Sequence, residues 1–146
     1  MDSMRAIGLA ALLTLAGAAQ AQLLVEVALA PAIASQLFPP MSFPASSLRA
    51  VGTGTAPLIA RVPDAAAWTD WEVYTASGLA AALEPGLLHQ IETGLALDGF
   101  FRETTTTTQL GAERHTRAVF VDGDRRALVY LIRADRELVW LVARAR

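Results

Sequence analysis

A chain of 146 residues with a formal net charge of −2 has the size of one domain and is too nearly neutral to favour nucleic acid or an anionic lipid surface as a partner. Cysteine is absent, which removes disulfides and thiol nucleophiles, and all 12 basic residues are arginine. The chain must therefore hold itself together by packing, and 53% hydrophobic residues is ample for a core. The absence of lysine, with abundant alanine and leucine, points to a GC-rich bacterial genome, a statement about codons rather than function.

Residues 1–21 read as a secretory signal peptide. Arg5 supplies the positive n-region, residues 6–17 the apolar run, and Ala19-Gln20-Ala21 the cleavage site. The run falls short of the ~20 residues a spanning helix needs, so no stable membrane insertion is expected after cleavage. Retention as an anchor is the alternative. The expected destination is the periplasm or the extracellular space.

Residues 22–62 are expected to be irregular. The stretch 23–29 admits a short strand or a frayed N-terminus. One or two helical turns are expected over 31–38, with Pro31 at the start where its missing N–H costs little. Pro39, Pro40 and Pro44 then break regular structure, and 42–47 is a loop. Residues 48–51 and 57–62, on either side of Gly52-Thr53-Gly54-Thr55, admit short strands. This segment either wraps a sheet face or tethers the domain.

Residues 63–146 are expected to form the domain proper. Asp64 is placed to N-cap a helix over 65–74. On that helix Trp68, Trp71 and Tyr74 fall three apart on one face. They either pack on a sheet or form an exposed aromatic strip for a sugar or peptide. Ser77 starts a second helix, whose apolar face is Leu79, Leu83, Leu87, Ile91 and Leu95. Pro85-Gly86 should break or kink it, leaving a main helix over 85–97. Asp98-Gly99 ends it, with Gly99 in the left-handed conformation.

Residues 100–110 form a strand centred on five consecutive threonines, Thr104 to Thr108. Hydroxyls on both faces mark it as a soluble edge strand. After the turn at Gly111-Ala112-Glu113, residues 115–121 alternate. His115, Arg117, Val119 and Val121 share one face; Thr116, Ala118 and Phe120 share the other. Two-residue turns at Gly123-Asp124 and Asp135-Arg136 then fix the register of two more strands. One sheet face collects Val119, Val121, Leu128, Tyr130, Ile132, Val139 and Leu141. The opposite face collects Ala118, Phe120, Val129, Leu131, Leu138, Trp140 and Val142. Both faces need cover, from helices, the N-terminal segment or another chain. The expected fold class is α+β: one or two helices packed on a four-stranded antiparallel meander, preceded by a signal peptide and an irregular N-terminal segment.

Chemistry-bearing motifs are scarce. His89 and Glu92 could share a side of the helix, but two ligands do not make a metal site. His115 sits between Arg114 and Arg117 and is expected at the surface. Serine never occurs in a Gly-x-Ser-x-Gly elbow, and Gly52-Thr53-Gly54 lacks the rest of a phosphate-binding fingerprint. Asp122, Asp124 and Asp135 are explained by turns. Residues 22–98 carry two arginines against seven acids, and residues 99–146 carry nine against six, so an acidic half faces a mildly basic one. No catalytic residue, metal or cofactor is expected. The expected function is a non-catalytic exported domain that binds another envelope or secreted protein, or itself, through an apolar sheet face. A second reading is a small-molecule or glycan binder with the ligand between the Trp68/Trp71 helix and the sheet; a third is a small hydrolase using two scattered acids. Binding residues are sought at Trp68, Trp71, Tyr74, Arg117 and Trp140.

Overall fold

The computed structural model describes residues 15–16, 22–23, 28–51, 53–77 and 80–145. The expected leader falls outside these, apart from Leu15–Ala16 (β1), which forms a short antiparallel ladder with Gln22–Leu23 (β2). The rest is organised by one seven-stranded antiparallel sheet. Its strands are β3 (Ala28–Pro31), β4 (Leu48–Val51), β5 (Trp68–Ser77), β6 (Phe101–Leu110), β7 (Glu113–Asp122), β8 (Arg125–Ala134) and β9 (Glu137–Ala145). Their spatial order is β3-β4-β5-β9-β8-β7-β6. The protein is mostly β, which corrects the expected four-stranded meander with one or two helices. The meander is real, as β6 to β9, but it is only part of a wider sheet.

The turns set the register as their sequences require. Asp122 pairs with Arg125 and Ala134 with Glu137, so Gly123-Asp124 and Asp135-Arg136 are two-residue loops. Gly123 takes a φ of 57°, which the first of these turns needs. Two cores follow from that register, one on each face. Ala118, Phe120, Val129, Leu131, Leu138, Trp140 and Val142 are buried on the first face. Val119, Leu128, Tyr130, Ile132, Val139 and Leu141 are buried on the second.

The first face is covered by α2 (Ala80–Leu97) through Leu87, Ile91 and Leu95, and by Phe38, Met41 and Phe43 from the β3–β4 connection. The helix runs unbroken through Pro85, which corrects the expected break. Proline there removes one hydrogen bond near the start of a long helix, and both Pro85 and Gly86 lie at the surface. The apolar stripe from Leu87 to Leu95 holds the helix on the sheet regardless. At its C-terminal end Gly99 adopts a φ of 89°. Phe100 N–H donates to the Leu95 carbonyl at 2.9 Å and Gly99 N–H to that of Ala96 at 3.1 Å, a Schellman closure.

The second face is covered from within the same chain. α1 (Ala56–Ile59) and the turns after it lay Leu58 and Val62 on the sheet, and Trp68 closes one side. Residues 57–62 are thus a helical turn and loop rather than a strand. Residues 31–38 form no helical turn; they bend over the first face instead. The face bearing Val129, Leu131 and Trp140, one of the two apolar faces expected to need cover, is likewise core.

The largest departure is β5. A helix was expected over 65–74, but only Ala65–Ala67 is helical, as one 3₁₀ turn, and the strand starts at Trp68. Its composition is aromatic and β-branched, as a strand favours. The helix-like spacing of its tryptophans arises from a β-bulge. Thr69 pairs with Arg144 and Glu72 with Val142, so Asp70 and Trp71 share one partner position, and Asp70 takes a φ of 55°. The extra residue turns Trp71 to the same face as Trp68, three positions away, and leaves Tyr74 on the opposite face.

Candidate functional site

Strand β6 is the feature the sheet leaves open. Every one of its ten residues is exposed. Among the described residues α2 approaches it only at its start, and it is hydrogen-bonded on one side only, to β7. Its charges gather at its start, where Arg102 meets Glu92 at 3.7 Å and Arg126 donates to Glu103 at 2.8 Å. A bulge lies between Arg102 and Thr104. From Thr104 onward the pairing is regular, through Thr106 with Arg117 and Thr108 with His115, to Leu110 with Glu113. That stretch has no charge, glycine or proline. Thr107 Oγ1 lies 3.3 Å from Thr116 Oγ1, tying the strand to β7 through a threonine rung. Phe101 and Leu110, 69% and 50% exposed, stand at its two ends on the second face.

Beside this edge, on the second face, β7 carries a row of Glu113, His115 and Arg117. Arg61 Nη2 donates to both Glu113 oxygens, at 2.7 and 2.6 Å. His115 Nε2 stands 3.4 Å from Glu113 Oε2, and its Nδ1 shares a hydrogen bond of 2.7 Å with the Tyr130 hydroxyl. Arg117 donates to Asp64 Oδ2 at 2.5 Å, and Trp68 Nε1 donates to the same oxygen at 3.1 Å. Burial pushes the His115 pKa down, and Arg61 adds to this against the opposing pull of Glu113, so the ring is neutral at pH 7. Burial acts to raise the Asp64 carboxyl, but its bonds from Arg117 and Trp68 outweigh this and hold it below the usual range. Burial also raises the Tyr130 phenol.

Glutamate, histidine and tyrosine in line have the form of a proton relay. Here the line is closed: His115 and Tyr130 are 5% and 4% exposed, and the phenol that would attack a substrate is inside the core. What the network does is mechanical. Two ion pairs, Arg61–Glu113 and Asp64–Arg117, fasten the covering segment to β7 next to the open edge.

The five residues singled out by sequence do not form one site. Trp68 and Arg117 meet only through Asp64. Trp71 is half-buried against the second core. Tyr74 and Trp140 stack in the first core, with centroids 5.8 Å apart. No gap for a ligand lies between a Trp68/Trp71 helix and the sheet, because those residues belong to the sheet. The expected surface position of His115 is also corrected. The signal was in its alternation with Val119 and Val121, since a residue sharing the face of valines packed in the second core is itself drawn under cover. His89 is exposed on α2.

A second buried carboxylate, Glu72, accepts from Ser35 Oγ at 2.6 Å, Gln36 N–H and Leu37 N–H at 2.8 Å each, and Tyr74 hydroxyl at 2.7 Å. It pins the β3–β4 connection over the first face. An open cleft of about 660 Å³ lies at the end of the sheet, lined by Arg114, Arg133 and Arg136 together with Asp135 and Glu137. Glu84 takes up charge there, 3.8 Å from Arg114 and 3.4 Å from Arg133. Three acids thus balance the three arginines in charge. Among the described residues no cluster of three or more histidine or acidic side chains is arranged to hold a metal, and no helix is long and apolar enough to cross a membrane.

Comparison with family models, curated proteins and solved structures finds no match to this chain. The geometry of the edge strand therefore carries the functional reading.

Proposed function

We propose that the protein is an exported, non-catalytic interaction domain that takes on a further strand along β6, from another envelope or secreted protein or from a second copy. The observation that supports this is the full exposure of a ten-residue edge strand whose second half carries no charge, proline or bulge. Proteins commonly blunt such an edge with those devices, because it presents a row of unpaired N–H and C=O groups to any other chain. The opposite edge shows the contrast: β3 is four residues long and ends in Pro31. Strand addition draws its affinity from main-chain hydrogen bonds and its selectivity from alternate side chains. On β6 those are two short rows of threonine, which admit a partner strand without steric cost. Export rests on the leader read in residues 1–21.

The test is a photo-crosslinking amino acid placed singly at Thr105, Thr106 and Thr107, and at exposed Ala66 as a control, in the full chain in its native host. Discrete adducts from the β6 positions and none from Ala66 are expected. Adducts from Ala66 but none from β6 would overturn the reading.

A further inference from the structure

We infer that the strand β6 accepts is β6 of a second copy, paired antiparallel about a two-fold axis through Thr106, so that two seven-stranded sheets join into one. This rests on the edge reading above and names its partner.

The argument starts from symmetry. A two-fold interface brings a surface against itself, so the sequence along it must be compatible with its own reversal. Thr104 to Thr108 reads the same in both directions. Centred on Thr106, the register sets Thr106 against Thr106, Thr105 against Thr107 and Thr104 against Thr108. Side chains directly opposite in an antiparallel pair lie on the same face, about 4.5–5.5 Å apart at Cβ, and threonine pairs there interact favourably. The rows on each copy are already defined: Thr104, Thr106 and Thr108 on the second face, Thr105 and Thr107 on the first. Both rows run on across the junction.

Charge and access agree with this. Arg102 and Glu103 lie before the regular stretch, and the bulge there turns the strand's start out of the ladder. Arg102 is paired with Glu92 and Glu103 with Arg126 inside one chain, so joining two copies strands no charge. With every residue of β6 exposed, no part of α2 or of the 53–67 segment has to move. A foreign strand would need its own complementary sequence; the second copy supplies one by construction.

The chain has no cysteine, so one introduced thiol reports on one position. Single variants Thr104→Cys, Thr106→Cys and Thr108→Cys are oxidised in the full chain. The two-fold register predicts a disulfide-linked dimer from Thr106→Cys at least about tenfold faster than from either other variant. Equivalent residues at 104 or 108 would lie about 14 Å apart, four residues along a strand. A mixture of the Thr104→Cys and Thr108→Cys chains should cross-link. Light scattering provides a test free of thiol chemistry. The wild type is expected as a dimer. Thr106→Lys and Thr106→Glu, which set like charges together on the axis, should each weaken it at least about tenfold, and mixing them should restore it. Circular dichroism spectra that match wild type show that each variant is folded.

A wild-type monomer at every concentration, equal cross-linking at all three positions, or a dimer untouched by the charged variants would each overturn the inference. A monomer whose β6 photo-adducts contain a different protein would do so while leaving the edge reading intact. A monomer without β6 adducts would remove both.

Discussion

Replacing Gly94 with alanine should destabilise the protein, although glycine is a poor helix residue. In an exposed helix interior Gly→Ala gains ~0.5–1 kcal/mol, because alanine has less backbone freedom to lose. Gly94 is different because the β3–β4 connection crosses α2 there. A Cβ at this position would stand 2.4 Å from the Pro40 carbonyl oxygen, 2.6 Å from Met41 Cα and 2.9 Å from Met41 N. All three are backbone atoms, so no side chain can rotate aside. The connection must lift, and it carries Phe38, Met41 and Phe43, which belong to the first core. Overpacking of this kind costs ~1–3 kcal/mol, and distances this short belong at the upper end of that range. Set against the helix gain, the net loss is ~2 kcal/mol, or roughly 8 °C in Tm for a domain of this size. Gly86 on the same helix is the internal control, since a Cβ there meets nothing within 4 Å. Gly86→Ala should gain ~0.5–1 kcal/mol. Urea melts of the two variants read the opposite signs directly. A Gly94→Ala protein as stable as wild type, or more so, would refute the close packing of helix against connection.

Three further outcomes follow from the buried polar groups. Glu72→Ala leaves the Gln36 and Leu37 N–H groups and the Tyr74 hydroxyl without their acceptor, so it should cost ~3 kcal/mol or more in urea melts and speed proteolysis of the 32–47 connection. His115 titrates below its ordinary 6.5 in the fold, so as pH falls through 6.5 the unfolded chain takes up a proton that the native chain refuses; stability should fall from that pH downward, and His115→Gln should flatten the slope in Tm against pH. Arg61→Leu or Glu113→Leu alone strands the other's charge and should cost ~3–5 kcal/mol, whereas the double variant should lie near wild type in a double-mutant cycle.

Much of the sheet was legible because period-two alternation and two-residue turns leave one register. The split of β7, β8 and β9 into two faces matches the two cores residue by residue. The threonine run was legible as an edge for a related reason: hydroxyls on both sides of a strand have no core to enter. β5 was not legible, since a bulge adds one residue to the period of two and reproduces the three-residue spacing of a helix. The unbroken α2 was missed because a local proline penalty was weighed without the packing of Leu87, Ile91 and Leu95 that offsets it. β4 is the short strand admitted over 48–51, whereas β3 begins at the end of the stretch admitted as strand over 23–29 and runs on to Pro31 through its pairing with β4. The five candidate residues were chosen for their chemistry, but aromatic rings do not declare which face they occupy until the register is known. The Arg61–Glu113 pair joins positions 52 residues apart, a separation no local pattern reveals.

The pairing of β5 with β9 bears on how the chain acquires its structure. Strands β6 to β9 are joined by tight turns and can zip together as successive hairpins, each closing a short loop. β5 cannot join until β9 exists, and the bond between Asp70 and Arg144 spans 74 positions. That closure carries the largest loop entropy in the sheet and belongs to the slow part of folding. Until it occurs, β9 is itself an unpaired edge, and Leu138, Val139, Trp140, Leu141 and Val142 lie along it. A meander formed ahead of β5 would thus be stickier than the product, with its adhesive strand at the opposite side from β6.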